Sequence, residues 1–445
     1  MSWFAGFRAH RFEWGDRFFR LAAVNIVSNL MVPLAGLIDV AFLGHLDDIR
    51  HLAGVTLAAV VFNYLYWSFG FLRMGTTGMT AQATGREDVD AVWLTVLRHG
   101  AIALIAGCVL VLAQQPIREV AFALLSATEE VKQSGQAYYT AQIWGAPAAL
   151  LDFVLVGWFL GRGQGRNVLL LSAVSNSVNI ALNYWLIVRL GWESAGAGAA
   201  TALSQVAMLL TGLALMLREV DWGHMRRLAP HLLDAAALRH IFSLNGNITI
   251  RTFALVSTFA VFTNLSAALG TVTLAANTLL LQVVTLAAYF IDGLAFATES
   301  FAGMFYGRGD RDQLAALTKL AGMTSIAIGL AIALMFALFP QPLFGLLTRH
   351  QSVIVELRQY VWWLVPVLAW GAIAYMLDGY FLGLTAGATL RTAALQSSLL
   401  GFGPVAIAAY YSQNPQWLWL ALTSFMAARS LTLLRKLPST LQVRE

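Results

Sequence analysis

Charge is scarce in this chain. Asp, Glu, Lys and Arg make up 11% of its 445 residues, against roughly 25% in a soluble domain. With 58% hydrophobic residues it cannot cover its apolar surface in water. That excludes an ordinary soluble fold and leaves a polytopic membrane protein. Cysteine is nearly absent too. The single Cys108 lies in an apolar run, which excludes a disulfide framework. There is no HExxH and no repeated acidic motif with metal-ligand spacing, so an integral-membrane enzyme is a poor third choice and no metal or organic cofactor is expected. Asp47-Asp48 reads as a solvated turn, and His45, His51, His99 and His240 are scattered at helix ends. No pore-loop signature interrupts the apolar runs, which disfavours a channel. The stretch Trp3 to Trp14 mixes aromatics with charge and lacks the clean apolar run of a secretory signal. It reads as an interfacial segment on the cytoplasmic face; a disordered tail is the alternative. The net charge of +5 does not point to nucleic acid, because the basic residues fall at helix ends.

What the chain does have is apolar length. A span needs about 20 mostly apolar residues, and twelve such segments are predicted: 18–43, 52–80, 92–113, 134–160, 167–189, 195–217, 241–265, 271–303, 314–339, 354–383, 392–411 and 416–434. With the N-terminus inside, the inner connections hold most of the arginines and the outer ones hold Arg50, Arg118, Lys132, Arg189, Arg349 and Arg358. This asymmetry places both termini in the cytoplasm.

The halves echo each other. Thr84-Gly85-Arg86 recurs as Tyr306-Gly307-Arg308, and Gly157-Trp158-Phe159-Leu160-Gly161 recurs as Gly379-Tyr380-Phe381-Leu382-Gly383, both offset by 222 residues. A third echo, Val55–Ala59 with Val272–Ala276, is offset by 217. Duplication of a six-span unit follows, with both copies inserted the same way. Residues 1–217 form the N-terminal lobe, 218–240 a cytoplasmic linker and 241–445 the C-terminal lobe. Two such bundles leave a cleft that rocking would open to either side.

Asp39 lies near the end of the first span. A carboxylate in hydrocarbon is expensive, and a chain that keeps one generally uses it. At the 217 offset its partner is Val256, so the acid is not a scaffold requirement. Asn176, Asn179 and Asn183 are spaced i, i+3, i+7 on the fifth span, which puts three amides on one face. These amides beside a carboxylate suit a cation or hydrated proton; helix–helix hydrogen bonding is the alternative. Thr201 lies among small residues of the sixth span, Asn25 and Asn29 form a second stripe on the first, and Asp152 is a second acid on the fourth. Pro147 ahead of Asp152 predicts a bend. Arg73 on the second span is expected to pair with one of these acids.

In the second half, Asp292 and Glu299 share a face of the eighth span, Asp378 ends a tyrosine-containing stretch of the tenth, and Arg251 on the seventh is placed to neutralise one of them. Three acids against one arginine imply a net-negative cavity suited to cationic, amphipathic cargo. Tyr64, Trp67, Tyr289, Phe290, Tyr375 and Tyr380 are candidates to stack on it.

Pro33-Leu34-Ala35-Gly36-Leu37-Ile38-Asp39 followed by Gly44-His45-Leu46 resembles the first span of the multidrug and toxic compound extrusion (MATE) family, its DinF-like branch in particular. Phe71-Leu72-Arg73-Met74, Thr76-Thr77-Gly78, Thr80-Ala81-Gln82-Ala83, Asn179-Ile180-Ala181-Leu182 and Leu377-Asp378-Gly379 extend the resemblance over nearly the whole chain. It implies an all-α, V-shaped fold of twelve helices in two pseudo-symmetric six-helix bundles. It also implies a monomeric antiporter of a bacterial inner membrane, exporting small organic cations and amphipathic drugs against H⁺, or else Na⁺. By residue, Asp39 matches the family's coupling carboxylate, Asn179 an amide near it and Thr201 a hydroxyl. Two departures stand out. Relatives carry Asp where this chain has Asn183, and Asn where it has Asp152, so the second carboxylate of this lobe is expected to have moved to the fourth span. They also place a proline where this chain has Val24. The runner-up function is a flippase of lipid-linked or amphiphilic precursors, which would want a larger and more cationic cleft.

Overall fold

The computed structural model of the protein describes residues 13–46 and 48–442. The interfacial segment expected before Glu13 falls outside them, apart from Glu13 and Trp14, and so does Asp47. No strand occurs among the described residues. Backbone within hydrocarbon finds no water to bond, so each segment must satisfy its N–H and C=O groups internally, and the helix does so. Eleven helical segments are long and apolar enough to cross a bilayer among the described residues. They are Trp14–Leu43, Arg50–Gly85, Val89–Leu112, Glu129–Gly161, Glu193–Leu217, Ala235–Ala268, Thr271–Arg308, Arg311–Leu338, Gln351–Gly383, Gly387–Ser412 and Pro415–Leu441. The remaining predicted span, the fifth, is helical over Gly165–Asn183 and continues as a π-helical stretch over Tyr184–Arg189. Asn176, Asn179 and Asn183, with Ser172, Ser175 and Ser177, dilute its hydropathy, which is why it is the one span that composition alone marks weakly.

The bends have local causes. A proline lacks the N–H and clashes with the carbonyl four residues back. In the fourth span the α-helix tightens to a 3₁₀ turn over Ile143–Gly145, ahead of Pro147. The tenth has a like turn over Val361–Trp363, ahead of Pro366. The second span breaks between Ser68 and Phe71. The first helix runs unbroken through Pro33.

The contacts divide the chain into two compact units. One is Val27–Phe242; the other is Ser243–Glu445 with the start of the chain through Ile26. In the second unit, Gly293 lies against the backbone of Ile26. Trp14 and Phe18 pack there against Phe301 and Phe305, edge-on or tilted, with ring centroids 5.5–6.2 Å apart for Trp14–Phe305, Phe18–Phe301 and Trp14–Phe301. Its core is built around Trp419, 5.1 Å from Phe262, whose indole N–H donates to Asn277 Oδ1 at 2.9 Å. Asn277 in turn donates to Ser266 at 2.9 Å, so these buried polar groups are satisfied.

The sequence repeat is also a packing repeat. A Cβ at Gly157 would sit 2.6 Å from the Arg73 carbonyl oxygen, and one at Gly161 2.7 Å from that of Thr77. In the other unit Gly379 abuts the Ala295 carbonyl and Gly383 that of Glu299. Each glycine and each partner is displaced by the same 222 residues. Small residues let backbones touch where no hydrophobic force drives helices together. Gly383→Ala must push two helices apart and is expected to cost about 1–3 kcal/mol, the range for overpacking. A melting temperature in detergent equal to wild type would contradict this.

The segment expected as a linker is pinned within the first unit. Asp221 caps the short helix Trp222–Leu228, accepting from Gly223 N at 2.9 Å. Arg98 on the third span donates to the carbonyls of His231 and Leu232 at 2.6 and 3.2 Å, and His224 Nε2 lies 3.0 Å from Asp90. Asp234 then starts the seventh span; the backbone N–H of Ala237 donates to its carboxylate and holds it below the usual carboxylate range.

Candidate functional site

Asp39 lies one turn before the end of the first helix at Leu43 and is half-buried. Its Oδ1 accepts from Asn183 Nδ2 at 2.5 Å. The same nitrogen reaches Asn179 Oδ1 at 3.0 Å. Asn179 Nδ2 donates to Thr201 Oγ1 at 3.4 Å, and Thr201 donates to the Ala197 carbonyl at 3.1 Å. The i, i+4 spacing of Asn179 and Asn183 aligns the two amides on one face, and both are buried. Helix packing brings the other groups in. Gly198 on the sixth span rests against the Tyr138 carbonyl of the fourth. That contact sets the Tyr138 hydroxyl beside Thr201 and within reach of the Asp39 charge. The π-helical stretch begins at Tyr184, directly after Asn183. Such widened turns recur at functional sites.

The cluster is therefore Asp39, Asn179, Asn183, Thr201 and Tyr138. Its oxygens are hard donors, suited to a proton or a small hard cation. The Asn183 carbonyl oxygen is buried and has no hydrogen-bond partner among the described residues. Asn176 does not join the cluster. Its amide donates to the Ser172 carbonyl of its own helix at 2.8 Å. Asp152 also stands apart. It is 4% exposed, and neither carboxyl oxygen has a partner among the described residues. The expected pairing of Arg73 with Asp39 or Asp152 is thus corrected: the first acid is held by an amide and the second by nothing.

An unbonded polar group in the interior costs about 1–3 kcal/mol. Asp152→Leu is therefore expected to raise thermal stability. If Asp152 serves transport, the same variant loses export. Higher stability with wild-type export in vesicles would remove Asp152 from the mechanism.

The second unit corrects the charge count. Asp378 is gripped by Arg251 and also by Arg429, a residue of the last span that is 1% exposed. Arg429 lies 5.6 Å from the Tyr375 ring centroid, and Asp292, half-buried, lies within charge range of Tyr289, Tyr375 and Arg429. Glu299 is fully buried, with its carbonyl against Gly383. The unit thus holds a second buried arginine beside Arg251, and Asp378 is committed to holding both. Asp292 is the acid of this set with appreciable exposure. Tyr380 is fully buried and its hydroxyl bonds Thr440 at 2.7 Å, so it offers no face to cargo. Tyr64 and Trp67 are 58% and 60% exposed.

Twin helical units that repeat at 222 residues, one of them burying a carboxylate–amide cluster in its spans, define a duplicated multi-pass membrane transporter. The MatE family profile matches twice, over residues 25–185 and 248–407. The chain belongs to this MATE family of multidrug efflux transporters. It is 34% identical to the DNA damage-inducible protein F of Escherichia coli K12, over 93% of this chain and 90% of that protein. It is 23% identical to a probable multidrug resistance protein NorM of Thermotoga maritima, over 75% and 72%. Its fold matches a MOP superfamily transporter from Pyrococcus furiosus with a TM-score of 0.86, at 21% identity and 96% coverage of both chains. An outward-facing multidrug resistance MATE family transporter matches with the same TM-score, identity and coverage.

Proposed function

We propose that the protein exports organic cations and amphipathic drugs in exchange for inward-moving H⁺, with Asp39 as the group that carries the coupling proton. The observation that carries this is the company Asp39 keeps. It sits within a bilayer-spanning helix, bonded to an amide, with no cationic side chain paired to it among the described residues. An acid so placed needs a mobile cation for charge balance, and a proton suffices. Binding and release of that proton tip the protein between states open to opposite faces, because a ligand shifts an equilibrium by its differential affinity for the two states. The site faces the bacterial plasma membrane's outer side when both termini are cytoplasmic, an orientation supported by the arginine bias of the connections.

The coupling ion is tested in proteoliposomes loaded with a fluorescent organic cation such as ethidium. An imposed pH gradient is expected to drive uphill movement in the absence of Na⁺. Uphill movement that requires a Na⁺ gradient and ignores the pH gradient would replace H⁺ with Na⁺.

A further inference from the structure

A second polar cluster lies in the first unit, toward the face where the first and second spans are joined. His51 opens the second span and is 6% exposed. Its Nδ1 is 3.0 Å from Ser194 Oγ and 3.3 Å from Ser134 Oγ. The two hydroxyls are 2.6 Å from each other. Its Nε2 is 3.1 Å from Glu193 Oε2, off the line of a good hydrogen bond. The Glu193 side chain is 50% exposed, so a small rotation aligns it. The three helices meet here by backbone contact. A Cβ at Gly54 would fall 2.6 Å from Gly135 N and 2.7 Å from Ser134 Cβ, and Gly198 abuts the Tyr138 carbonyl.

These contacts also set the direction of the cluster. Tyr138 follows Ser134 by one turn on the fourth span, and Thr201 follows Ser194 by two turns on the sixth. A turn advances about 5.4 Å. The next polar groups below the serines are thus Tyr138 and Thr201, which already belong to the Asp39 site. Water carries the connection from the serines to Tyr138.

We propose that Glu193, His51, Ser134 and Ser194 form the proton-uptake path that feeds Asp39. The path rests on Asp39 being the proton carrier. Glu193, exposed at the surface, takes a proton from bulk water and hands it to Nε2 of the imidazole. The ring releases the proton on Nδ1 to a serine oxygen as that hydroxyl passes its own proton on through water to Tyr138. The Tyr138 hydroxyl passes its proton on through water to the Asp39 carboxylate and receives the incoming one. Each intermediate group ends with the protons it began with, and Asp39 gains one. Imidazole suits this work because it accepts on one nitrogen and donates on the other. Among the described residues the charged group paired with the ring is Glu193. The fourth span brings Glu129, Glu130 and Lys132 just ahead of Ser134. On the His51 side stand His45, whose ring bonds the Ala41 carbonyl, and Arg50, which pairs with Asp48.

A relay and a plain structural clasp part ways when proton movement is separated from cargo movement. In proteoliposomes, His51→Gln is expected to slow pH-driven export at least tenfold. Cargo–cargo counterflow, which needs no net proton transfer, should stay at the wild-type rate. Ser134→Ala with Ser194→Ala should behave likewise, and Ser194→Thr, which keeps a hydroxyl, should restore most of the rate. Glu193→Gln, at an exposed position, should give a smaller slowing, again confined to pH-driven export. Wild-type export by His51→Gln, or equal slowing of export and counterflow, would overturn the path. Asp39→Asn run beside it separates the two claims. If that variant still concentrates cargo, the proton-carrier role itself fails. If it does not while His51→Gln exports at full rate, the path alone is wrong.

Discussion

Asp39→Asn should abolish gradient-driven export while leaving cargo binding in place. Asparagine keeps the size of the side chain and still offers an oxygen to the Asn183 amide, which now donates to Asp39 at 2.5 Å. The cluster of Asn179, Asn183 and Thr201 therefore stays assembled. What is lost is the exchangeable proton. One pH unit is worth about 1.36 kcal/mol per proton, which supports about tenfold accumulation per coupled proton. A wild-type vesicle under a two-unit gradient should accumulate cargo by about a hundredfold, and the variant should stop at equilibration. Cargo affinity measured on purified protein should change by less than about twofold, because asparagine keeps the side chain's size and its hydrogen bond to Asn183. Concentrative transport by the variant would remove the acid from the coupling step.

The second large effect is on stability. Asp378→Ala leaves Arg251 and Arg429 buried together with no carboxylate between them. Breaking a buried pair by removing one partner costs about 3–5 kcal/mol, since the remaining charge has lost its hydration and its counter-ion. Here two guanidinium groups lose the carboxylate they share, and like charges in a low dielectric repel. Proteins are stable by only about 5–15 kcal/mol, so the variant is expected to express poorly and to melt far below wild type in detergent. Removing Arg429 as well should recover part of the loss, since Arg429→Gln relieves the repulsion. A single variant that melts with wild type, or a double variant no better than the single, would show that Asp378 is not the group holding the two arginines. The same result would reopen its candidacy as a cargo site.

Much of this was legible in the residues. The spans followed from apolar length, and the repeat from two motifs at one offset, which the glycine contacts of Gly157, Gly161, Gly379 and Gly383 repeat in three dimensions. Asp39, Asn179, Asn183 and Thr201 came from helical spacing together with a family resemblance, and the geometry joins them. Spacing fixes a face but not a depth along it. Asn176 shares the amide face and still bonds its own backbone. Tyr138 was missed because a tyrosine near the start of a span is ordinarily an interfacial anchor, and only the Gly198 contact turns it inward. Arg429 was missed for a related reason. The last span was expected to end at 434, which put Arg429 near the interface, where cations are unremarked. The helix runs on to Leu441, so Arg429 lies deep enough to need Asp378. The His51 cluster joins three helices that are far apart in sequence, and no local pattern announces it.

The most direct measurement reverses the driving force. Coupling is reciprocal, so a cargo gradient must move protons if protons move cargo. Vesicles with equal pH on both sides, a cargo gradient and an internal pH dye should show proton movement opposite to cargo in the wild type and none in Asp39→Asn, with cargo still crossing downhill in both. Proton movement of wild-type size in Asp39→Asn, or its absence in the wild type while cargo crosses, would contradict the account.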